Sequence, residues 1–305
     1  MHMVRKIYKL HFTSPVRFGQ DAGKGFQYCF CSDTLFSALY LSQMEENRQD
    51  DFLERVKENK LKFSDAFPYN GAQYFVPRPA GIYAKRMLAD TDPSVRKLMK
   101  KIQYIPLELF DGWLSGKEEP QKMMAKFGTD VERTRVSLRE EEPLPYPVEG
   151  FQFYQHCGLY VISESADEES QRVMDDAMRS VAATGIGGKK SSGWGHYILE
   201  EDCVPAYLEN AMNDKTAQHQ MLLSTAYPGK NEASVMDNAR YVLKRRGGFT
   251  DGFNERPKKK RTTWSFASGS TFDTRFNGTV MEVSTTTDHP VWRYAKALMM
   301  GVRTP

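Results

Sequence analysis

The chain has 305 residues, 40% of them hydrophobic and 27% charged, with a formal net charge of +3. That length and polarity suit a folded protein with one large core or two of ordinary size, and two is the expectation. No apolar run is long enough to span a bilayer, and the opening MHMVRKIYKLHF alternates charged with apolar residues, which excludes a signal-peptide core and makes the cytoplasm the expected location.

In chain order, VRKIYKLHFT (4–13) alternates polar and apolar residues as a half-buried strand does. Ser32, Asp33 and Thr34 precede LFSALYLSQM, whose Leu35, Phe36, Leu39 and Tyr40 recur at helical spacing, so a helix opens there with Ser32 or Asp33 as its N-cap. KLKFSDAFPY (60–69) reads as a second strand ending at Pro68, and 75–79 as a short extended piece. Residues 90–150, which contain EEEPLPYPVEG, are too polar and proline-broken for core and too long for a simple connector. They are expected to be largely dispensable for folding. FQFYQHCGLYVIS (151–163) is a strong strand, 168–183 an amphipathic helix, and 195–200 a strand after a glycine-rich loop. Without the insertion and the short piece, the order is strand, helix, strand, strand, helix, loop, strand. That is the α+β, ferredoxin-like arrangement, with both helices on one face of an antiparallel sheet.

After Pro205 a second set follows: 218–226 as a strand, 232–239 as a short helix, then strands near 241–249, 261–268, 278–283 and 294–302. A second, degenerate copy of the same fold is expected, giving domains 1–205 and 206–305, although no fixed-period repeat is visible. Charge is uneven between them. Residues 240–305 hold thirteen Lys/Arg against five Asp/Glu, a net +8. The dense points are Lys244, Arg245 and Arg246, and KKKR at 258–261. A polyanion is the partner such a patch suits, the alternative being a solvated hairpin edge protected by lysines. Cys29, Cys31, Cys157 and Cys203 read as buried free thiols, since Cys29-x-Cys31 lacks the gap of a zinc knuckle. Neither metal nor cofactor is expected.

The stretch TGIGGKKSSGWGH (184–196) carries five glycines, two lysines and two serines directly after a helix. An NTPase phosphate loop needs GxxxxGK[ST], but Lys190 follows Gly188-Lys189 where Ser or Thr is required. A dinucleotide fingerprint opens a helix, and this loop leaves one. A phosphodiester chain lying across a glycine ribbon with free N–H groups fits better, with Trp194 as a stacking surface. The alternative makes Gly185 a helix C-cap and Trp194 core. On this reading a side chain at Gly187 or Gly188 blocks RNA more than loss of Lys189 does.

With YKLHFTSPVRFGQ and CSDTLFSALY upstream, GIGGKKSSGWGHY resembles the RAMP (repeat-associated mysterious protein) superfamily of CRISPR systems. More narrowly, the order of LKFSDAFPYN, YFVPRP, IQYIPLELF, ERTRVSLREEEPLPY, CGLYVI, ASGSTF and HPVWRYAKALMMGV is similar to Csm-type subunit four of type III-A interference complexes. The resemblance implies two ferredoxin-like (RRM-like) domains, a hairpin thumb in the insertion, and binding of the 5′ tag of crRNA. It also implies docking to the large polymerase-like subunit and to the backbone RAMP subunit, with target RNA nearby. Carried onto this chain, the RNA-binding candidates are Arg17, Phe18, Gly19 and Gln20; Ser32, Asp33 and Thr34; Arg133 and Arg135 at the start of the thumb; and Gly185, Ile186, Gly187, Gly188, Lys189, Lys190, Ser191, Ser192, Gly193, Trp194 and Gly195. The acidic run Glu140–Glu142 departs from what an RNA-gripping thumb wants. A free helix N-terminus at Ser32 to Thr34 would hold a phosphate, although a plain N-cap uses the same atoms.

Two other functions compete with this one. A metal-independent endoribonuclease of the same superfamily needs a general base and acid, for which His196, His11 and His156 are the candidates, none with a partner at recognisable spacing. A pure scaffold leaves the loop and the basic region unexplained. The expectation is a non-catalytic RNA-binding subunit.

Overall fold

The computed structural model describes residues 3–21, 25–82, 93–137, 144–250, 257–286 and 289–304. Val4–Phe12 (β1) is buried on both sides: Tyr8, Leu10 and Phe12 turn to one face of the sheet and Ile7 to the other. Gln20–Asp21 (β2) and Gly25–Phe26 (β3) pair beyond it. Helices Ser32–Glu45 (α1) and Gln49–Lys57 (α2) follow. The expected second strand is split in two, Leu61–Phe63 (β4) and Phe67–Asn70 (β5), with Ser64, Asp65 and Ala66 stepping out between them. Gln73–Pro77 (β6) closes a hairpin on β5.

The insertion is not a dispensable excursion. After helix Pro93–Lys101 (α3), Tyr104–Pro106 (β7) adds a strand to β6, and Phe110–Leu114 (α4) follows. Ile102, Ile105, Phe110, Trp113 and Leu114 from this segment are fully enclosed. Its polar and proline-rich composition reflects the long arm Gly128–Ser137 (β8) and Leu144–Phe153 (β9), and hides the apolar residues before it. FQFYQHCGLYVIS is likewise two strands. The arm's return ends at Phe153, the chain turns at 154–156, and Cys157–Ser165 (β10) enters the main sheet.

Helix Glu168–Thr184 (α5) starts at Asp167, whose carboxylate accepts from the Ser170 amide at 2.7 Å as an N-cap should. Tyr197–Asp202 (β11) then completes a seven-stranded antiparallel sheet in the order β11-β1-β10-β5-β6-β7, with β4 also on β10. Leu35, Phe36 and Leu39 of α1, Phe52 and Val56 of α2, and Met174, Met178 and Val181 of α5 cover the Tyr8 face.

Beyond helix Ala206–Asn213 (α6) lie His219–Leu222 (β12), Leu243–Arg246 (β13), Thr263–Phe266 (β14), Thr271–Phe272 (β15), Gly278–Glu282 (β16), Trp292–Lys296 (β17) and Met299–Val302 (β18). The expected second copy of the first sheet is not what they form among the described residues. They make three small sheets, β15-β12-β18, β13-β14 and β16-β17. The reason is where their apolar residues find partners: Leu208, Met212, Met221, Leu223, Met300 and Val302 pack with Ile7, Phe67, Tyr160 and Ile162 against the second face of the large sheet. One core therefore crosses residue 205.

The junction is polar as well as apolar. Asp65, turned inward by the break between β4 and β5, accepts from the Ser32 amide at 2.8 Å, the Thr225 amide at 2.7 Å and the Thr225 hydroxyl at 3.0 Å. Near it, the Tyr294 hydroxyl receives the Phe63 amide and donates to the Phe63 carbonyl. Lys296 is buried in the same seam, donating to the Lys57 carbonyl and Asn59 Oδ1. Burial, together with the charge of Lys62, pulls the Lys296 ammonium down to about 8, against the opposing pull of Glu232.

Removing the Asp65 carboxylate orphans two buried donors, the Ser32 amide and the Thr225 hydroxyl, at about 1–3 kcal/mol each, and leaves the Thr225 amide only its bond to the Ser32 hydroxyl, so Asp65→Ala lowers unfolding free energy by about 2 kcal/mol or more. The urea midpoint reads this, and an unchanged midpoint would show that the seam is held elsewhere. Because Lys296 titrates lower when folded than the ordinary 10.5 of a lysine, the unfolded chain binds the extra proton between about pH 8 and 10.5. Stability therefore rises with pH through that window. Comparing urea midpoints of wild type and Lys296→Met across it should show the gap between them changing in the wild type's favour as pH rises.

Candidate nucleic-acid interface

The glycine-rich loop is closed and internally bonded. The Gly185 amide ends α5 on the Val181 carbonyl, the Ile186 amide bonds the Gly195 carbonyl, and the Gly195 amide bonds Pro15. The Gly188 amide reaches the Arg17 carbonyl at 2.9 Å, so the loop is stitched to the segment after β1. The ribbon of free N–H groups expected from the sequence is mostly used up in this way. Gly195, at φ +76°, lies so close to Ile186 that a β-carbon would collide with its carbonyl. Gly187, at φ +99°, would put a β-carbon 2.8 Å from the Phe18 ring, whereas Gly188 has ordinary room. Gly187 thus serves the loop's own packing, and a side chain there disturbs the fold before it meets RNA.

Several candidates are interior. Trp194 is fully buried rather than a stacking surface, Ile186 and Phe18 are buried, and Phe18 packs edge-on against Phe30. What faces outward is Gly188, Lys189, Lys190, Ser191 and Gly193, with Gly19 exposed on the adjoining segment. Arg17 is half-buried there and Gln20 begins β2. Lys189 in the left-handed region and a 3₁₀ turn over Lys190–Ser192 shape the tip. The amides of Lys189, Lys190 and Ser191 make no hydrogen bond within the described residues. Successive amides in such a turn form a concavity suited to an anion.

The β8–β9 arm lies over this loop. Arg135 donates to the Ser192 carbonyl at 3.0 Å, Arg133 sits 5.8 Å from the Trp194 ring centre, and Lys189 reaches within 5.5 Å of the Tyr146 ring. Arg133 and Arg135, two apart on a strand, do share a face, and that face meets the loop. The arm's base is anchored where Phe151 bridges Val16 and stacks on Tyr28. Glu140–Glu142 lie outside the described residues.

The start of α1 is not a free anion site. Ser32 and Asp33 are buried, Cys31 rather than either occupies the N-cap position, and the Asp65 carboxylate takes the Ser32 amide. Asp33 receives a two-pronged grip from Arg246 at 2.7 and 2.8 Å, and Arg246 also donates to the Thr34 hydroxyl. Burial opposes the Arg246 charge, yet Asp33 holds its pKa above the ordinary arginine value. Lys244 turns the same way, toward Gln27. Of the KRR run, only Arg245 is exposed. The strand alternation of β13 carries this signal in the sequence, but only once the segment is known to be a strand.

His11 proves to have partners: Nδ1 pairs with the Tyr69 hydroxyl at 2.6 Å and Nε2 with Glu200 at 2.5 Å. Both ring nitrogens are engaged. That hydrogen bond to His11 heads the causes that lower the Glu200 pKa. His196 is half-buried beside the loop and His156 exposed at the turn before β10. Cys31 and Cys157 are buried as expected, Cys29 is half-buried with its thiol pushed up to about 12 by desolvation, and Cys203 is exposed, against expectation. Among the described residues no cluster of His, Cys, Asp and Glu could hold a metal ion, and no helix is long and apolar enough to cross a membrane.

A family model described as the CRISPR Csm4 C-terminal domain matches residues 215–302. The chain is 30% identical over 306 residues to the CRISPR system Cms protein Csm4 of Streptococcus thermophilus, covering 97% of this chain and 98% of that protein. It is 29% identical over 279 residues to the Csm4 protein of Mycobacterium tuberculosis, covering 89% of each. The fold is similar to a crystal structure of a Csm3–Csm4 subcomplex in the type III-A CRISPR-Cas interference complex, with a TM-score of 0.68 at 16% identity over 98% of this chain and 99% of that one. A Csm1–Csm4 cassette in complex with pppApA gives 0.61 at 19% identity, over 99% of both chains. Since the likeness to the Streptococcus protein runs almost from end to end of both, taking in sheet, arm, loop and basic hairpin alike, the chain belongs to the Csm4 family.

Proposed function

We propose that this chain is a non-catalytic, RNA-binding subunit of a type III-A CRISPR effector complex, which holds the 5′ tag of crRNA and joins the large polymerase-like subunit to the backbone RAMP subunits. The observation that carries the reading is the arm laid over the glycine-rich loop, which gathers Arg133, Arg135, Lys189 and Lys190 around the amides of Lys189, Lys190 and Ser191, unpartnered among the described residues. Cations and main-chain donors without bases to read are what a nucleic-acid backbone needs. The strand order and the placement of α1 and α5 on one face support a ferredoxin-like (RRM-like) N-terminal part, with the arm as its thumb. Relatives whose structures are described as a Csm3–Csm4 subcomplex and a Csm1–Csm4 cassette support the two protein contacts. Engagement of both His11 ring nitrogens leaves that histidine without a nitrogen free to accept a proton, so a ribonuclease would have to rely on His196 or His156.

Two outcomes test the reading. Binding of the full chain to single-stranded RNA carrying the tag should weaken with salt, log K falling by about 0.7 per log salt for each phosphate contacted. Replacing Arg133 and Arg135 with alanine should flatten that slope and leave the melting temperature nearly unchanged, because Arg133 is exposed and Arg135 half-exposed. Affinity indifferent to salt in the wild type would contradict it. Incubated with repeat RNA and EDTA, the chain should give no new bands on a denaturing gel. Site-specific products that vanish in His11→Ala or His196→Ala would replace the binding subunit with a ribonuclease.

A further inference from the structure

Strand geometry divides the KRR run. Lys244 and Arg246 turn inward to Gln27 and Asp33, so those two cations are consumed by the fold. Arg245 turns outward and has no partner among the described residues. Directly across the hairpin from it stands Trp264, 54% exposed. Further toward the tip Phe249, 64% exposed, pairs with the exposed Lys259. The two hairpin stretches, 240–250 and 257–268, contain eight Lys/Arg and no Asp or Glu.

We propose that the outer face of the β13–β14 hairpin is a stacking platform for single-stranded RNA, with Trp264 and Phe249 receiving unpaired bases and Arg245 and Lys259 the phosphates between them. This rests on the reading that the chain binds RNA, and adds a contact surface apart from the glycine-rich loop. Flat aromatic faces alternating with cations are the recurring construction of sequence-tolerant single-strand sites, because every base has a π-face and every link a charge. Arg245 beside Trp264 adds a cation that can lie over a base or an indole. A protein occupant fits less well. It would have to bury Arg245 and Lys259 with no acidic residue in the stretches 240–250 and 257–268 to compensate them, and lysine is depleted from the centres of protein interfaces. The two RNA surfaces border one stretch of chain, since Arg17 receives the Gly188 amide and Gln27 receives Lys244.

The test uses the full chain and a short fluorescein-labelled single-stranded RNA of mixed sequence, read by anisotropy and by quenching of tryptophan fluorescence. Trp264→Ala should weaken binding roughly 5- to 100-fold, the range of one lost base stack, and Trp264→Phe should restore most of it. Arg245→Ala should weaken binding and lower the salt slope by about 0.7. Melting temperatures of all three should match wild type, since both side chains are exposed. If Trp264→Ala and Arg245→Ala bind as wild type does while the double variant Lys189→Ala, Lys190→Ala loses affinity, the hairpin platform is overturned and RNA binding through the loop stands. If the Trp264 variants keep RNA affinity but no longer retain the large subunit in a pull-down, the face is a protein interface and the proposal fails. A wild-type chain that binds no RNA at low salt overturns the underlying reading and the platform with it.

Discussion

A single buried carboxylate ties this structure together. Asp65 leaves the sheet where the second strand breaks, and its two oxygens are shared between the first turn of α1 and Thr225 of the C-terminal part. Were β4 and β5 one continuous strand, Asp65 would stay in the ladder and the Ser32 amide at the start of the helix would lose its partner. Because it does not, helix start, sheet and C-terminal strands meet at one point, and the Met221, Leu223 and Met300 cluster can close over the far side of the sheet. The same arrangement settles the fate of the basic run. With the Ser32 amide already taken, the charge left at the helix start is that of Asp33, and Arg246 is drawn in to meet it.

The elements with long, clean periodicity were legible in the sequence. β1, α1, α5 and the return through β11 fall within a few residues of where alternation and helical spacing put them, and their order sets the sheet's topology. What was not legible depended on tertiary partners. Nothing local marks Asp65 as the break in KLKFSDAFPY, because its partner lies 160 residues away at Thr225. The insertion misled through averaging: prolines and glutamates of the arm masked Ile102, Phe110 and Trp113, which lie in the core. The C-terminal strands were recognisable singly, but their short lengths could not say which would share a sheet.

At the interface the sequence gives residue types without direction. Glycines, lysines and tryptophan in one loop suggest an exposed, pliant surface, yet Trp194 is a buried floor and the glycines are mainly places where the loop passes its own neighbours. Arg133 and Arg135 came out on one face because a two-residue spacing on a strand permits nothing else. The inward turn of Lys244 and Arg246 obeys the same rule, and shows that a charge count overstates what a ligand can meet.

The stitching of the glycine-rich loop to Pro15 and Arg17 bears on how fast and how selectively it could act. Fixing a residue's backbone costs about 1–2 kcal/mol, and in a pliant loop that cost would fall at the moment of association. Here it falls during folding, since the Ile186, Gly188 and Gly195 amides are already bonded. A rigid mould of this kind needs no rearrangement on encounter. On the proposed function, a misfitting strand would gain nothing from the loop's adjusting to it, and discrimination would reside in how quickly a wrong strand leaves.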